Sequence, residues 1–171
     1  MNEIMSFFNN DFFTVFGGMS TIFVIVSFFY CVYCVIKGVF PVWYRIGMSL
    51  SKRRIAIFAE SEFGHLKSLL VDSKIFRDKN IVKVYKNSLK KAEKETIFLV
   101  HWKEYQDQLD EIILIKRDSA ALIIYAPQNE GRIDQESLDK INNQRNSVIV
   151  NFRGRLLNDV LISMVTTSYE Q

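Results

Sequence analysis

The 171-residue chain sets 22 Lys and Arg against 19 Asp and Glu, a net charge of +3, too mild to make nucleic-acid binding the first reading. Its two cysteines, Cys31 and Cys34, both sit in an apolar run and cannot build a disulfide framework or a zinc site. Once that run is set aside, enough chain remains for one compact core and too little for two.

Residues 1–11 hold Glu3 and Asp11 and no Lys or Arg, which argues against a cleaved signal peptide, as does the lack of a small-x-small site after the apolar run. From Phe12 to Ile36 no side chain is charged. A single segment in hydrocarbon satisfies its own backbone only as a helix, and about 25 residues reach roughly 37 Å against a ~30 Å core. One transmembrane helix is therefore expected over residues 12–40, ended or kinked by Pro41, with Trp43 and Tyr44 as an interfacial aromatic pair.

Lys37, Arg45, Lys52, Arg53 and Arg54 follow the run, and no basic residue precedes it. Because Lys and Arg are retained on the cytoplasmic side, the expected topology is single-pass in the cell inner membrane. The N-terminus lies outside and the C-terminal domain in the cytoplasm. Residues 41–52 read as a basic stalk, and the basic cluster as a topology signal and a contact for anionic lipid.

On the span, Ser20, Ser27 and Cys34 recur every seven residues, with Cys31 on nearly the same face and Gly17, Gly18 and Thr21 extending it outward. Small residues let two helix backbones approach closely. This stripe is the expected seam of a homo-oligomer, although such hydroxyls can also bond their own backbone.

Residues 53–171 read as alternating strands and helices. Arg54 to Glu60 forms a short apolar strand, followed by a helix with Phe63, Leu66, Leu69 and Leu70 inward. Ile81 to Tyr85 is the second strand, and Asn87 is expected to cap a polar helix running to about Glu95. Ile97 to Trp102 is the third, followed by a helix carrying Tyr105, Leu109, Ile112 and Ile113. Ala120 to Ala126 is the fourth, stopped by Pro127. A helix starting near Asp134 turns Leu138 and Ile141 inward, Ser147 to Phe152 is the fifth strand, and a last helix runs from about Arg155 through Leu156, Val160, Leu161 and Met164. Continuous apolar strands alternating with helices imply an α/β fold: a doubly wound, five-stranded parallel sheet covered on both faces.

The element order and length of residues 53–171 resemble the receiver-like and TIR-like five-stranded domains. A phosphorylated receiver would need an Asp ending the third strand, a hydroxyl residue ending the fourth and a Lys ending the fifth. This chain offers Glu60 and Glu62 after the first strand, then His101 with Trp102, Tyr125 with Ala126, and Arg153. The missing phosphoacceptor argues against aspartyl phosphorylation. The TIR-like resemblance implies a glutamate after the third strand, for which Glu104 is the candidate, with Glu60 beside it. The plainer reading of Glu104 is an acid favoured in the first turn of a helix.

Ligands of open parallel sheets settle at the carboxyl ends of the strands, near the point where strand order reverses. There the chain places Glu60 and Ser61, then His101 and Trp102, Tyr125, and the run Asn151-Phe152-Arg153-Gly154-Arg155. Arg153, Gly154 and Arg155 open a helix, so backbone N–H groups and guanidiniums could converge on a phosphate or carboxylate. They could equally pair with Glu60, Glu62 or Asp159. Trp102 serves either as a stacking surface or as a core lid. His101 has no partner at metal spacing, and neither a metal nor a cofactor is expected.

No P-loop, GxGxxG, GxSxG, HExxH or paired-Cys motif occurs, so enzyme readings rest on fold analogy alone. The leading expectation is a membrane-anchored sensor or effector whose cytosolic domain binds a nucleotide-like signal or a protein partner and controls assembly of the spanning helices. That architecture resembles the small membrane effectors of bacterial antiviral defence. The alternative is a membrane-tethered TIR-like enzyme cleaving NAD or a related nucleotide through Glu104 or Glu60.

Overall fold

The computed structural model describes the backbone of residues 11–167 and the side chains of 15–44, 47 and 53–167. The outer segment expected at residues 1–11 lies outside that range except for Asp11, and so do the side chains of Arg45 and Lys52. The chain divides into two units, one ending at Arg45 and the other beginning at Ile46.

Helix α1 (Asp11–Lys52) is 42 residues long. Every side chain from Val15 to Tyr44 is exposed, Phe23 at 79% and Trp43 at 73%. A helix of a soluble core buries at least one stripe. This one buries none, and its 30 residues Val15–Tyr44 are long and apolar enough to span a membrane. At about 1.5 Å per residue that stretch measures about 45 Å, more than the ~30 Å hydrocarbon core.

Of the two effects expected of Pro41, ending or kinking the helix, it does not have the first: α1 continues through it to Lys52. A proline removes one N–H and crowds the carbonyl four residues earlier, and the bonds of the turns on either side carry the helix past that single loss. Within α1, Ser20 Oγ and Thr21 Oγ1 donate to the carbonyls of Phe16 and Gly17, each at 2.8 Å. Those hydroxyls are satisfied inside their own helix.

In the second unit, strands β1 (Ile55–Phe58), β2 (Ile81–Lys83), β3 (Ile97–His101), β4 (Ala121–Tyr125) and β5 (Ser147–Val150) form one parallel sheet in the order β2-β1-β3-β4-β5. The helices are α2 (Phe63–Asp72), α3 (Trp102–Tyr105), α4 (Leu109–Ile115), α5 (Gln135–Asn142) and α6 (Arg153–Thr166). Strands β1, β3 and β4 are buried at every position, whereas β2 and most of β5 are half-buried.

Successive strand residues point to opposite faces, so continuous burial requires cover on both. On one face Phe58, Phe98, Leu122 and Ile124 meet Leu109 and Ile112 of α4 and Ile141 of α5. On the other Ile57, Leu99 and Ile123 meet Leu66 and Leu70 of α2 and Leu156, Val160 and Met164 of α6. Each large side chain removed from water in this way contributes about 1.5–3 kcal/mol. The expected α/β class and five-stranded parallel sheet are what form.

Two helices depart from expectation. The segment after β2 forms a 3-10 helix (Lys86–Ala92) interrupted at Ser88, where φ is −144° and ψ 40°. Tyr85 stands at its N-cap without a side-chain bond, so Asn87 does not cap an α-helix reaching Glu95. Leu89 and Ala92 are buried as expected, but two apolar positions in a run rich in lysine make too narrow a stripe to hold longer helix.

After β3 the expected single helix is broken into α3, a 3-10 turn (Gln106–Gln108) and α4, with Tyr105 at φ −123° and Gln108 at φ −112°. Tyr105 and Leu109, on either side of the break, both lie in the core.

The basic flank also differs from a simple lipid contact. Arg53 is 3% exposed, and its guanidinium donates to the hydroxyl and the carbonyl of Thr167, just past the end of α6. Arg54 Nε lies 3.3 Å from Oε2 of buried Glu95. Both arginines are engaged within the α/β unit, where the buried Arg53 guanidinium and the buried Glu95 carboxylate would each cost free energy if left unpaired.

Candidate functional site

In this strand order the chain leaves β1 toward one edge, for β2, and returns on the other side as β3. The switch point therefore lies between the carboxyl ends of β1 and β3. The loop after β1 brings Glu60 and Ser61 there, and α3 begins directly after His101, so Glu104 is one helical turn from the sheet.

Glu104 does not stay in its own helical turn. Its carboxylate accepts from the Glu60 N–H (2.5 Å), the Ser61 N–H (3.0 Å) and the Ser61 hydroxyl. Burial raises its pKa, but the Ser61 hydroxyl, the two N–H groups and the neighbouring His101 together hold it below the ordinary carboxylate range. Glu104 is thus an anion seated on the backbone donors of the β1–α2 loop.

His101 is 2% exposed. Its Nδ1 lies 3.7 Å from Glu104 Oε2 and its Nε2 3.1 Å from Glu130 Oε2. Neither ring nitrogen has a well-angled hydrogen bond, and Glu130 Oε2 is buried in the same condition. The imidazole links the loop after β1, through Glu104, with the 3-10 turn after β4 (Gln128–Glu130).

Tyr125 packs 5.9 Å from His101, ring to ring, and is nearly buried. Burial pushes its phenol up, Arg153 opposes this, and Glu62 and Glu130 add to it. Tyr105 donates to the Val84 carbonyl at 2.7 Å, and burial with the charges of Glu60 and Glu104 pushes its pKa up to about 12. Lys83, at the end of β2, donates to the Glu60 carbonyl at 3.3 Å and stands 5.0 Å from both the Phe63 and Tyr85 rings.

The structure brings Glu60, Ser61, Glu104 and His101 into one cluster, with Tyr125 at its side. Trp102 is 5% exposed and belongs to the core face that carries α4. Arg153, Gly154 and Arg155 open α6 at the surface, and Arg155 Nη2 lies 3.7 Å from Asp159 Oδ1. Asn151 stands apart from the switch point and lines a cavity of about 510 Å³ beside the ends of β4 and β5.

Sequence reasoning passed over Glu130 and Lys83. Glu130 follows a proline in a polar loop, and Lys83 reads as the outward residue of an edge strand. Neither carries a signal that would mark it. Among the described residues no group of His, Cys, Asp and Glu is arranged to hold a metal ion.

In chemical terms, the cluster presents one ionised carboxylate whose oxygens are occupied by the chain's own donors, and one imidazole shielded from solvent. Such an arrangement joins two loops, and it uses only the backbone of Glu60, whose own carboxylate takes no part in these bonds. The chain matches no protein-family model, and neither a curated protein nor a solved structure matches it; its functional reading therefore rests on its own geometry.

Proposed function

We propose that the chain is a single-span membrane protein of the sensor or effector type, held in the cell inner membrane by residues 15–44 with its α/β unit in the cytoplasm. That unit binds a nucleotide-like signal or a protein partner at the carboxyl edge of the sheet, and occupancy changes how the spanning helices assemble. The observation that supports this most is the complete exposure of Val15 to Tyr44: about 20 apolar residues suffice to cross a bilayer, and a helix that buries none of its apolar surface needs a solvent other than water. The likeness to small antiviral membrane effectors is one of architecture and supplies only a setting.

The orientation is tested by fusing reporters after Gln171. Fluorescence from a cytoplasmic reporter with no alkaline-phosphatase activity is the expected result. Phosphatase activity at that end would overturn the topology.

A second reading is favoured by one observation: Glu104 is held ionised at the switch point, where a TIR-like enzyme would use a carboxylate against positive charge developing on a sugar. Its oxygens would first have to leave Glu60 and Ser61. Consumption of NAD by the full chain, lost in Glu104→Gln, would establish that reading; steady NAD would remove it.

A further inference from the structure

Three places at the carboxyl edge offer themselves to a ligand. The donors at the β1–β3 switch point already hold Glu104. The start of α6 is exposed surface, with Arg155 Nη2 3.7 Å from Asp159 Oδ1. The third is the cavity of about 510 Å³ beside the ends of β4 and β5, within the ~300–1,000 Å³ range of small-molecule sites.

Its floor is apolar: Ala126 is buried, and Ile133, Leu138 and Ile149 are half-buried. Its rim carries two side-chain amides, Gln128 and Asn151, and one guanidinium, Arg132, all exposed. Arg132 makes no ion pair among the described residues, a state it shares with Arg77, Arg145 and Arg153, but it alone of these lines the cavity. Glu130 Oε2 lies 3.1 Å from His101 Nε2, and Gly131 turns the chain at φ +110°, a conformation that side-chain-bearing residues rarely adopt.

An apolar floor of this kind suits the face of a flat ring. Amides that both donate and accept suit its polar edge, and a guanidinium suits a phosphate, which it can meet with two parallel bonds. The geometry points to this cavity as a site for a small molecule combining a hydrogen-bonding ring with one phosphate, the mononucleotide class, with Arg132 as the anion contact. The inference rests on reading the α/β unit as a binding module and names the place and the ligand chemistry.

Calorimetric titration of the full chain in detergent with adenosine 5′-monophosphate tests it, with adenosine and inorganic phosphate titrated separately. The nucleotide should bind, and each fragment should bind at least about tenfold more weakly. Arg132→Ala should weaken the nucleotide by about tenfold or more, the loss of one charge-assisted contact, without changing the melting temperature. Leu138→Trp, which builds a ring into the cavity, should abolish binding; should it also lower the melting temperature, Arg132→Ala alone decides.

Nucleotide binding that is indifferent to Arg132→Ala but lost in Arg153→Ala would overturn the cavity while leaving the sensor reading in place. No binding at millimolar nucleotide would also overturn it, and the sensor reading would then stand or fall on a protein partner.

Discussion

Glu104 concentrates the electrostatics of the switch point in one side chain. Its folded pKa is below that of the unfolded chain, so the stability it contributes is fully present above the ordinary glutamate range and is lost as pH falls through the depressed folded value. Glu104→Gln should cost about 1–3 kcal/mol at neutral pH, since two backbone N–H groups lose a charged acceptor. Thermal melts of both proteins from neutral to acid pH should show that difference shrinking on acidification; a constant difference would mean that the carboxylate charge is not what holds the loop. Tyr105 makes a second case, because its hydroxyl serves the Val84 carbonyl. Tyr105→Phe should cost about 1 kcal/mol, and an alkaline absorbance titration should lose a component above the ordinary tyrosine range in that variant, since burial pushes the Tyr105 phenol up to about 12.

At the scale of elements, the chain enters the α/β unit at Arg53 and reaches the end of its last described helix at Thr167, and the two are bonded to each other. A guanidinium buried at 3% exposure is stable only with its partners in place, so this pair fastens the end of α6 to the start of β1. Arg53→Ala should lower stability by about 1.5–3 kcal/mol for the charge-assisted bonds lost, and hydrogen exchange should quicken first in the last turn of α6. Protection unchanged in that turn would show that α6 is held by its apolar face, through Leu156, Val160 and Met164, and not by the clamp. Thr167→Val removes only the hydroxyl and should produce a smaller loss of the same kind.

For the whole molecule, the proposed assembly of spanning helices makes a specific demand on α1. Ser20 and Thr21 donate their hydroxyls to their own helix, so along a seam of Gly17, Ser20, Ser27, Cys31 and Cys34 these two side chains would contribute chiefly by allowing close backbone approach. Oxidative crosslinking through Cys34 in membranes should then be efficient. A Val32→Cys variant in a Cys31→Ser, Cys34→Ser background, whose cysteine lies on the opposite face, should crosslink poorly. Equal yields from both would rule out a specific seam, and Ser27→Leu should reduce the Cys34 yield by holding the helices apart.

The apolar helix, the five strands and the parallel sheet were all legible in the sequence, because each depends on local composition: a run from Phe12 to Ile36 without charge, and strands such as IAIF and ALIIY without a charged residue to face water. Asp134 was legible for the same reason, since its side chain accepts from the Ser137 N–H within its own helix start. What required the tertiary structure were partners distant in sequence. Glu104 reaches back 43 residues to Ser61, Arg53 forward 114 to Thr167, and Glu130 meets His101 across adjacent strand ends. No periodicity encodes such pairings, because only the strand order β2-β1-β3-β4-β5 brings those loops together. The cavity beside Arg132 is of the same kind: it is a volume left between α5 and the ends of two strands, and a volume has no sequence.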